Sequence, residues 1–384
     1  MASLLLAIIY ISFVSLGLPD ALLGAAWPVM QTEMQVPVSY AGGISLIIAI
    51  GTVISSLQAD RLMKWLGTGK IMVFSVAMTA AAIFGFSVSN TYWRLCLWAV
   101  PYGLGAGSVD AALNNYVAVH YTSRHMSWLH CMWGLGASIG PYIMGAALTG
   151  GMHWHNGYAI IAVLQVILTA VLLFSLPLWK KPVNSGTSAE AARPLTMKQI
   201  VTIPGAKEVM IAFFCYCGLE QTAILWGSSY LVHGGMEEEA AASLASLFLM
   251  GLTAGRALNG FLTYKLSDIN LIRLGQGIIA LGIFVMLLPL GDLASFAGLM
   301  LCGLGCAPIY PCIIHSTPAH FGEENSQALI GVQMASAYVG VCAMPPLFGL
   351  IANHIGAALL PWYLGSILII MFAMCERINR KTAV

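Results

Sequence analysis

The chain has 384 residues, 59% of them hydrophobic and only 8% charged, with a mean hydropathy of +0.84. Soluble globular chains carry about 25% charged residues, so this composition excludes a cytosolic enzyme, a disordered protein and a nucleic-acid binder together. The formal net charge of +1 leaves no basic face for DNA or RNA. Nine cysteines lie in or beside apolar runs without a Cys-x-x-Cys pair, and read as small reduced hydrophobes.

A membrane-spanning helix needs about 20 mainly apolar residues. Runs of that kind predict twelve spans, at 4–29, 39–59, 71–89, 93–117, 127–149 and 157–178, then at 209–232, 241–263, 270–290, 294–316, 326–350 and 358–375. The first run lacks a charged n-region and contains Pro19 and Asp20, so it reads as a retained span and not a cleaved signal peptide. Of sixteen Lys and Arg, fourteen fall in even-numbered loops or the C-terminal tail. Arg94 lies in an odd-numbered loop and Arg256 inside a span, while the acidic run Glu237-Glu238-Glu239 falls on the side opposite the lysines. This bias predicts a bacterial-type inner membrane protein with both termini cytoplasmic.

One polar interruption, with Lys180-Lys181-Pro182, a Gly/Ser/Ala stretch and Arg193-Pro194, divides the spans six and six. It has the composition of a linker, with room for a short surface helix before span seven. The expected organisation is a six-helix half at 1–179, a cytoplasmic linker at 180–207, and a second half with a short tail at 208–384. Shifting the sequence on itself by 200 aligns Gly103-Leu104-Gly105 with Gly303-Leu304-Gly305 and Gly51 with Gly251; a shift of 201 aligns Gly17-Leu18 with Gly218-Leu219. Six plus six spans in parallel repeat is the layout of the major facilitator transporters, an all-α membrane fold of two pseudo-symmetric halves with a midplane site.

Motifs add to that resemblance. Asp60-Arg61, followed by Lys64, Gly67 and Lys70, resembles the facilitator loop signature between spans two and three, with Ser56 where a leading glycine is usual. An acid near a helix end beside basic residues can hold a gate closed, so Asp60 and Arg61, with Arg256, are gate candidates. Gly136-x-x-x-Gly140-Pro141 in span five is a close-packing face that ends in a kink. Within the superfamily the chain resembles the fucose permease-like sugar:proton symporters. Three patches carry that resemblance: Gly17-Leu18-Pro19-Asp20-Ala21-Leu22-Leu23, Asp110 in span four, and Trp128-Leu129-His130-Cys131-Met132-Trp133-Gly134. It implies proton coupling at Asp20, coupling or sugar contact at Asp110, and sugar contacts from polar residues of span five. Here glycine and proline stand where that family has asparagines, and Asp110 stands for a glutamate.

The ionisable residues point the same way without the family. A charge at mid-bilayer costs several kcal/mol on insertion scales, so retained ones face a cavity or a partner. Asp20, Asp110, Glu220 and Arg256 are the four candidates. Asp20 and Asp110 have no basic neighbour in their own spans, and desolvated acids of that kind can exchange a proton near neutral pH. Asp110 and Asn114 share a helical face with Gly103 and Gly107, and His130 and Trp133 share another. Amides and carboxylates that hydrogen-bond hydroxyls, with aromatic faces for C–H stacking, suit a sugar. Those groups are offered by Trp27, Asn114, His130 and Trp133, and by Glu220, Gln221, Trp226, Tyr310 and Gln333. Arg256 is expected to pair with an acid across the halves or to snorkel. His153, His155, His315, His320 and His354 read as solvated.

The resulting expectation is a monomeric proton symporter that imports a small neutral solute, a monosaccharide first, by alternating access. A proton-coupled drug or metabolite exporter of the same fold is the alternative. Neither metal nor cofactor is expected, and no His-Glu-x-x-His or Gly-x-Ser-x-Gly pattern supports an enzyme. The partners are the solute, protons and the lipid bilayer.

Overall fold

The computed structural model describes residues 2–20, 22–37, 40–179, 195–236 and 238–382. Ala21, the linker stretch 180–194 and Glu237 of the acidic run lie outside the described residues. Among the described residues there is no strand, and the order of helices is α1 Ala2–Asp20, α2 Leu22–Met34, α3 Tyr40–Leu66, α4 Thr68–Ser87, α5 Tyr92–His120, α6 Ser123–Thr149 and α7 Trp154–Ser175. There follow α8 Met197–Thr202, α9 Ala206–His233, α10 Glu238–Leu262, α11 Asp268–Met286, α12 Asp292–Cys306, α13 Ile309–Phe321, α14 Glu323–His354 and α15 Leu360–Thr382.

Each of the twelve expected spans corresponds to one long helix or to a pair in line. The first comprises α1 and α2; the tenth comprises α12 and α13, separated at Ala307-Pro308, where proline has no N–H to continue the ladder. Among the described residues, ten of the stretches are long and apolar enough to cross a membrane on composition alone. The other two spans are α5, which carries Arg94, Pro101 and Asp110, and α10, which carries Arg256. The short helix α8 begins in a capping box, Thr196 N–H donating to Gln199 Oε1 at 2.8 Å and Gln199 N–H to Thr196 Oγ1 at 3.4 Å. Large apolar side chains such as Phe74, Phe84, Leu97 and Phe174 are exposed, as lipid-facing positions are.

The chain forms two compact units, Met1–Tyr116 with Leu129–Leu195, and Val117–Trp128 with Thr196–Val384. Hydrocarbon supplies no hydrophobic drive between helices, so packing within each unit depends on small residues that let backbones approach. In the first unit a Cβ on Gly103 would lie 2.3 Å from the Ile48 carbonyl oxygen, and one on Gly105 would lie 2.7 Å from that of Ser75. The second unit repeats both contacts 200 residues later: Gly303 would meet the Phe248 carbonyl at 2.0 Å and Gly305 that of Gly275 at 2.6 Å. Both glycines of the Gly136-x-x-x-Gly140 motif press on α1, at Val14 and Leu18 carbonyls 2.0 and 1.9 Å from the would-be Cβ atoms. The internal repeat is therefore a repeat of helix contacts as well as of letters.

Buried polar side chains cross-link the same helices. Thr52 Oγ1 donates to the Gly103 carbonyl at 3.2 Å, and Ser55 bonds both the Leu104 carbonyl and Ser108. Gln165 on α7 accepts from Thr79 at 2.9 Å and donates to the Ser15 carbonyl at 2.8 Å, tying α4 and α1 to α7. Gly103→Ala is expected to destabilise the protein by about 1–3 kcal/mol through overpacking, lowering the Tm in detergent. Gly277→Ala, where a Cβ meets open space, should leave the Tm unchanged or raise it.

Candidate functional site

In the first unit two acids sit on facing helices. Asp20, at the end of α1, is exposed and accepts two hydrogen bonds: from Tyr102 Oη on α5 at 2.9 Å to Oδ1, and from Trp133 Nε1 on α6 at 2.8 Å to Oδ2. The close approach of α6 to α1 at Gly17 and Gly136 brings Trp133 there: a Cβ on Gly17 would lie 2.2 Å from the Trp133 carbonyl. Asp110 is buried two turns further along α5 from Tyr102. Its Oδ1 accepts from Asn114 Nδ2 at 2.7 Å, and Asn114 Oδ1 lies 3.1 Å from His130 Nε2. His130 in turn stands edge-on to Phe13, ring centroids 5.5 Å apart. The result is a relay of Asp110, Asn114 and His130 across α5 and α6, with Asp20 and Trp133 one helical turn along α6.

Both carboxylates are held by neutral donors. Among the described residues neither Asp20 nor Asp110 lies within ion-pair distance of a lysine or arginine. Each can therefore take up a proton without breaking a salt bridge, and the donors that surround it can turn to a hydroxylated ligand instead.

The second unit is built differently. Glu220 on α9 accepts from Tyr216 one turn earlier and lies 4.0 Å from Arg256 of α10 through its other oxygen. Arg256 is buried, so its partner is an acid of its own unit, in place of the expected acid across the halves or a snorkelling pose. Beside them the Tyr310 ring lies tilted at 4.7 Å from Phe213 and edge-on at 5.9 Å from Tyr216, with its hydroxyl donating to Met334 Sδ at 3.2 Å. Gln221 is half-buried on the same helix.

Three expected ligand contacts are committed to packing. Trp27 is 5% exposed and lies in the apolar cluster of Leu22, Met30, Ile44 and Trp154. Trp226 donates its indole N–H to the Pro345 carbonyl at 2.9 Å and stands edge-on to Phe348, pinning α9 to α14. Gln333 is fully buried and donates to Thr317 Oγ1 at 3.0 Å, joining α14 to α13. An indole or amide in lipid must satisfy its donor, and a neighbouring helix is the nearest acceptor.

At the gate motif, Asp60 is buried; Oδ2 accepts from Lys64 Nζ at 3.0 Å and from the Leu195 backbone N–H at 3.3 Å. Arg61 is exposed and reaches Gln58 Oε1 at 3.5 Å. His315 is not solvated: Nδ1 lies 2.5 Å from Asp268 Oδ2 and Nε2 3.1 Å from the Tyr121 carbonyl. Tyr102 and Tyr216 were absent from the expected site; Tyr216 had a signal in its i, i+4 spacing from Glu220, whereas Tyr102 reaches Asp20 only through the packing of α5 beside α1.

A family model described as Major Facilitator Superfamily matches residues 9–297. The chain belongs to the major facilitator superfamily. It is 24% identical over 344 residues to the 3-(3-hydroxy-phenyl)propionate transporter of Escherichia coli, covering 85% of this chain and 80% of that one. It is 23% identical over 383 residues to the human sodium-dependent glucose transporter 1, with 88% and 72% covered. The crystal structure of the fucose:proton symporter FucP of E. coli matches with a TM-score of 0.76 at 18% identity, over 97% of this chain and 98% of that one. This facilitator is thus an integral, multi-pass transporter with the fold of FucP, and not an enzyme.

The ion pair in the second unit of this facilitator has a measurable signature. Arg256→Met, which strands the Glu220 charge, is expected to lower stability by about 3 kcal/mol. In a double-mutant cycle with Glu220→Gln, the combined loss should be smaller than the sum of the single losses by about 1 kcal/mol or more. Thermal or denaturant unfolding in detergent reads both.

Proposed function

We propose that this facilitator imports a small neutral solute, a monosaccharide or similar polyol, by proton symport and alternating access. The observation that carries the reading is the pair of acids in the first unit, Asp20 and Asp110, each bonded to neutral donors. Asp20 couples proton to solute because Trp133 and Tyr102 serve either its carboxylate or a sugar hydroxyl. When the carboxyl is protonated its need for two donors falls, and the indole N–H and phenol become free to orient the solute. Asp110 is the inner proton site, with Asn114 and His130 fixing its geometry. In the second unit, Gln221, Glu220 and the Tyr310 ring supply further amide, carboxylate and stacking contacts.

The two six-helix halves, 1–179 and 208–384, work as the moving parts, joined by the linker 180–207. Asp60, which also accepts from Lys64, accepts from the Leu195 backbone N–H and so holds that part of the linker against the end of α3. The distribution of lysine and arginine supports cytoplasmic termini. Likeness to a fucose:proton symporter and a glucose transporter supports a sugar. A second reading, an aromatic carboxylate as cargo, draws on buried Arg256 beside the Phe213, Tyr216 and Tyr310 rings and on likeness to the 3-(3-hydroxy-phenyl)propionate transporter.

Counterflow of labelled monosaccharides in proteoliposomes, with and without a pH gradient, separates these readings. Sugar import predicts saturable exchange and uptake driven by an inward proton gradient. Exchange of 3-phenylpropionate but of no sugar would replace it with the second reading, and efflux of a cationic dye would replace it with export. Asp20→Asn is expected to abolish gradient-driven accumulation while exchange at equal concentrations persists. Normal accumulation by that variant would reduce Asp20 to a structural hydrogen-bond acceptor.

A further inference from the structure

Outside the transport site, one group of side chains has the composition of a metal centre. Glu33 lies in the last turn of α2, His153 caps the start of α7, and His155 is in its first turn. One ligand atom from each comes within 4.8 Å of the others, and His153 Nδ1 lies 3.8 Å from Glu33 Oε2. Donor atoms around a tetrahedral zinc ion, with bonds of about 2.0–2.2 Å, stand about 3.4 Å apart. The three groups are therefore within about 1.4 Å of ligating distance, a gap that side-chain rotation closes. Glu33 and His153 have solvent-exposed room to make that rotation, being 41% and 70% exposed.

The surroundings already orient two of the three. Trp154, fully buried between the histidines, donates its indole N–H to Glu33 Oε2 at 2.7 Å and stacks on the His155 ring at 3.6 Å between centroids. Asn90, in the turn between α4 and α5, places Oδ1 3.1 Å from His155 Nε2. An amide oxygen at that nitrogen holds Nε2 as the N–H and leaves the Nδ1 lone pair for a metal, the usual role of an outer hydrogen bond to a ligating histidine. Two imidazoles and one carboxylate suit a borderline transition ion, zinc above all, over magnesium or calcium, which take oxygen ligands.

We propose that Glu33, His153 and His155 form a binding site for one zinc ion on the first unit, with water in the fourth position. The site lies at the end of that unit opposite Lys64 and Lys70, so under the charge bias it faces outward, toward the compartment from which the solute enters. An ion there ties the end of the first span to the start of the sixth. No spacing rule in the sequence points to it, because the acid and the histidines are 120 residues apart and meet only in the folded unit.

Isothermal titration of chelator-treated, detergent-purified full-length protein with ZnCl2 tests the site, with MgCl2 as the comparison ion. Saturable binding of one zinc ion per chain is expected, with magnesium binding far weaker. His153→Ala and His155→Ala should each weaken zinc binding about tenfold or more. Glu33→Gln, which keeps an acceptor for the Trp154 indole but removes the charge, should do the same with no change in metal-free Tm. His354→Ala, at the end of α14, should leave binding unaltered. Absence of saturable zinc binding, equal affinity for magnesium, or undiminished zinc binding by the His153→Ala/His155→Ala double variant would overturn the proposal.

Discussion

The close approach of helix backbones at glycine is the constraint on which the rest of this transporter depends. With lipid outside, helices gain little by hiding apolar surface from one another, and they associate through van der Waals contact and polar cross-links. Gly103 and Gly107 set α5 on α3, with would-be Cβ atoms 2.3 and 2.4 Å from the Ile48 and Thr52 carbonyls. That contact fixes the rotation of α5, and so the direction of Asp110 and Asn114. Gly17, Gly136 and Gly140 set α6 on α1, and thereby bring the Trp133 indole to Asp20. A methyl group at any of these positions would shift the helix contact and the side chains it orients as surely as it would loosen the fold.

The two units use the same scaffold and opposite electrostatics. In the first, acids are surrounded by neutral donors, Tyr102 and Trp133 at Asp20 and Asn114 at Asp110. In the second, Glu220 has an arginine beside it and a tyrosine within its own helix. The Glu220–Arg256 pair ties α9 to α10, whereas an acid served by neutral donors has no ion pair to break. Under the repeat, the position of Asp110 is taken by Tyr310, which has no comparable proton to exchange. Duplication supplied the scaffold twice, and a few divergent side chains left neutral donors around the acids of one copy and an ion pair with aromatic contacts in the other.

Much of this was legible in the amino-acid order. The twelve apolar runs all fall on helices, ten of them long and apolar enough to cross a membrane among the described residues, and the 200-residue echo of glycines became paired helix contacts. The pairing of Asp110 with Asn114 follows from i, i+4 spacing, and that of Asp60 with Lys64 likewise. Aromatic and amide side chains were less readable. Trp226, Gln333 and Trp27 have the chemistry of ligand contacts, yet each meets a neighbouring helix or the apolar core. Side-chain type states which bonds a group can make; which partner is at hand depends on helix rotation.

The sequence by itself determined the membrane setting, the all-helical fold and the repeat, because hydropathy, length and spacing are local properties of the chain. Tertiary structure alone decided the assignments of partners. Tyr102 reaches Asp20 across 82 residues, Arg256 finds an acid in its own unit, His315 meets Asp268, and Glu33 lies beside two histidines. Such pairs form where glycine contacts bring helices into register, and contacts between distant segments leave no periodicity for a linear reading to detect.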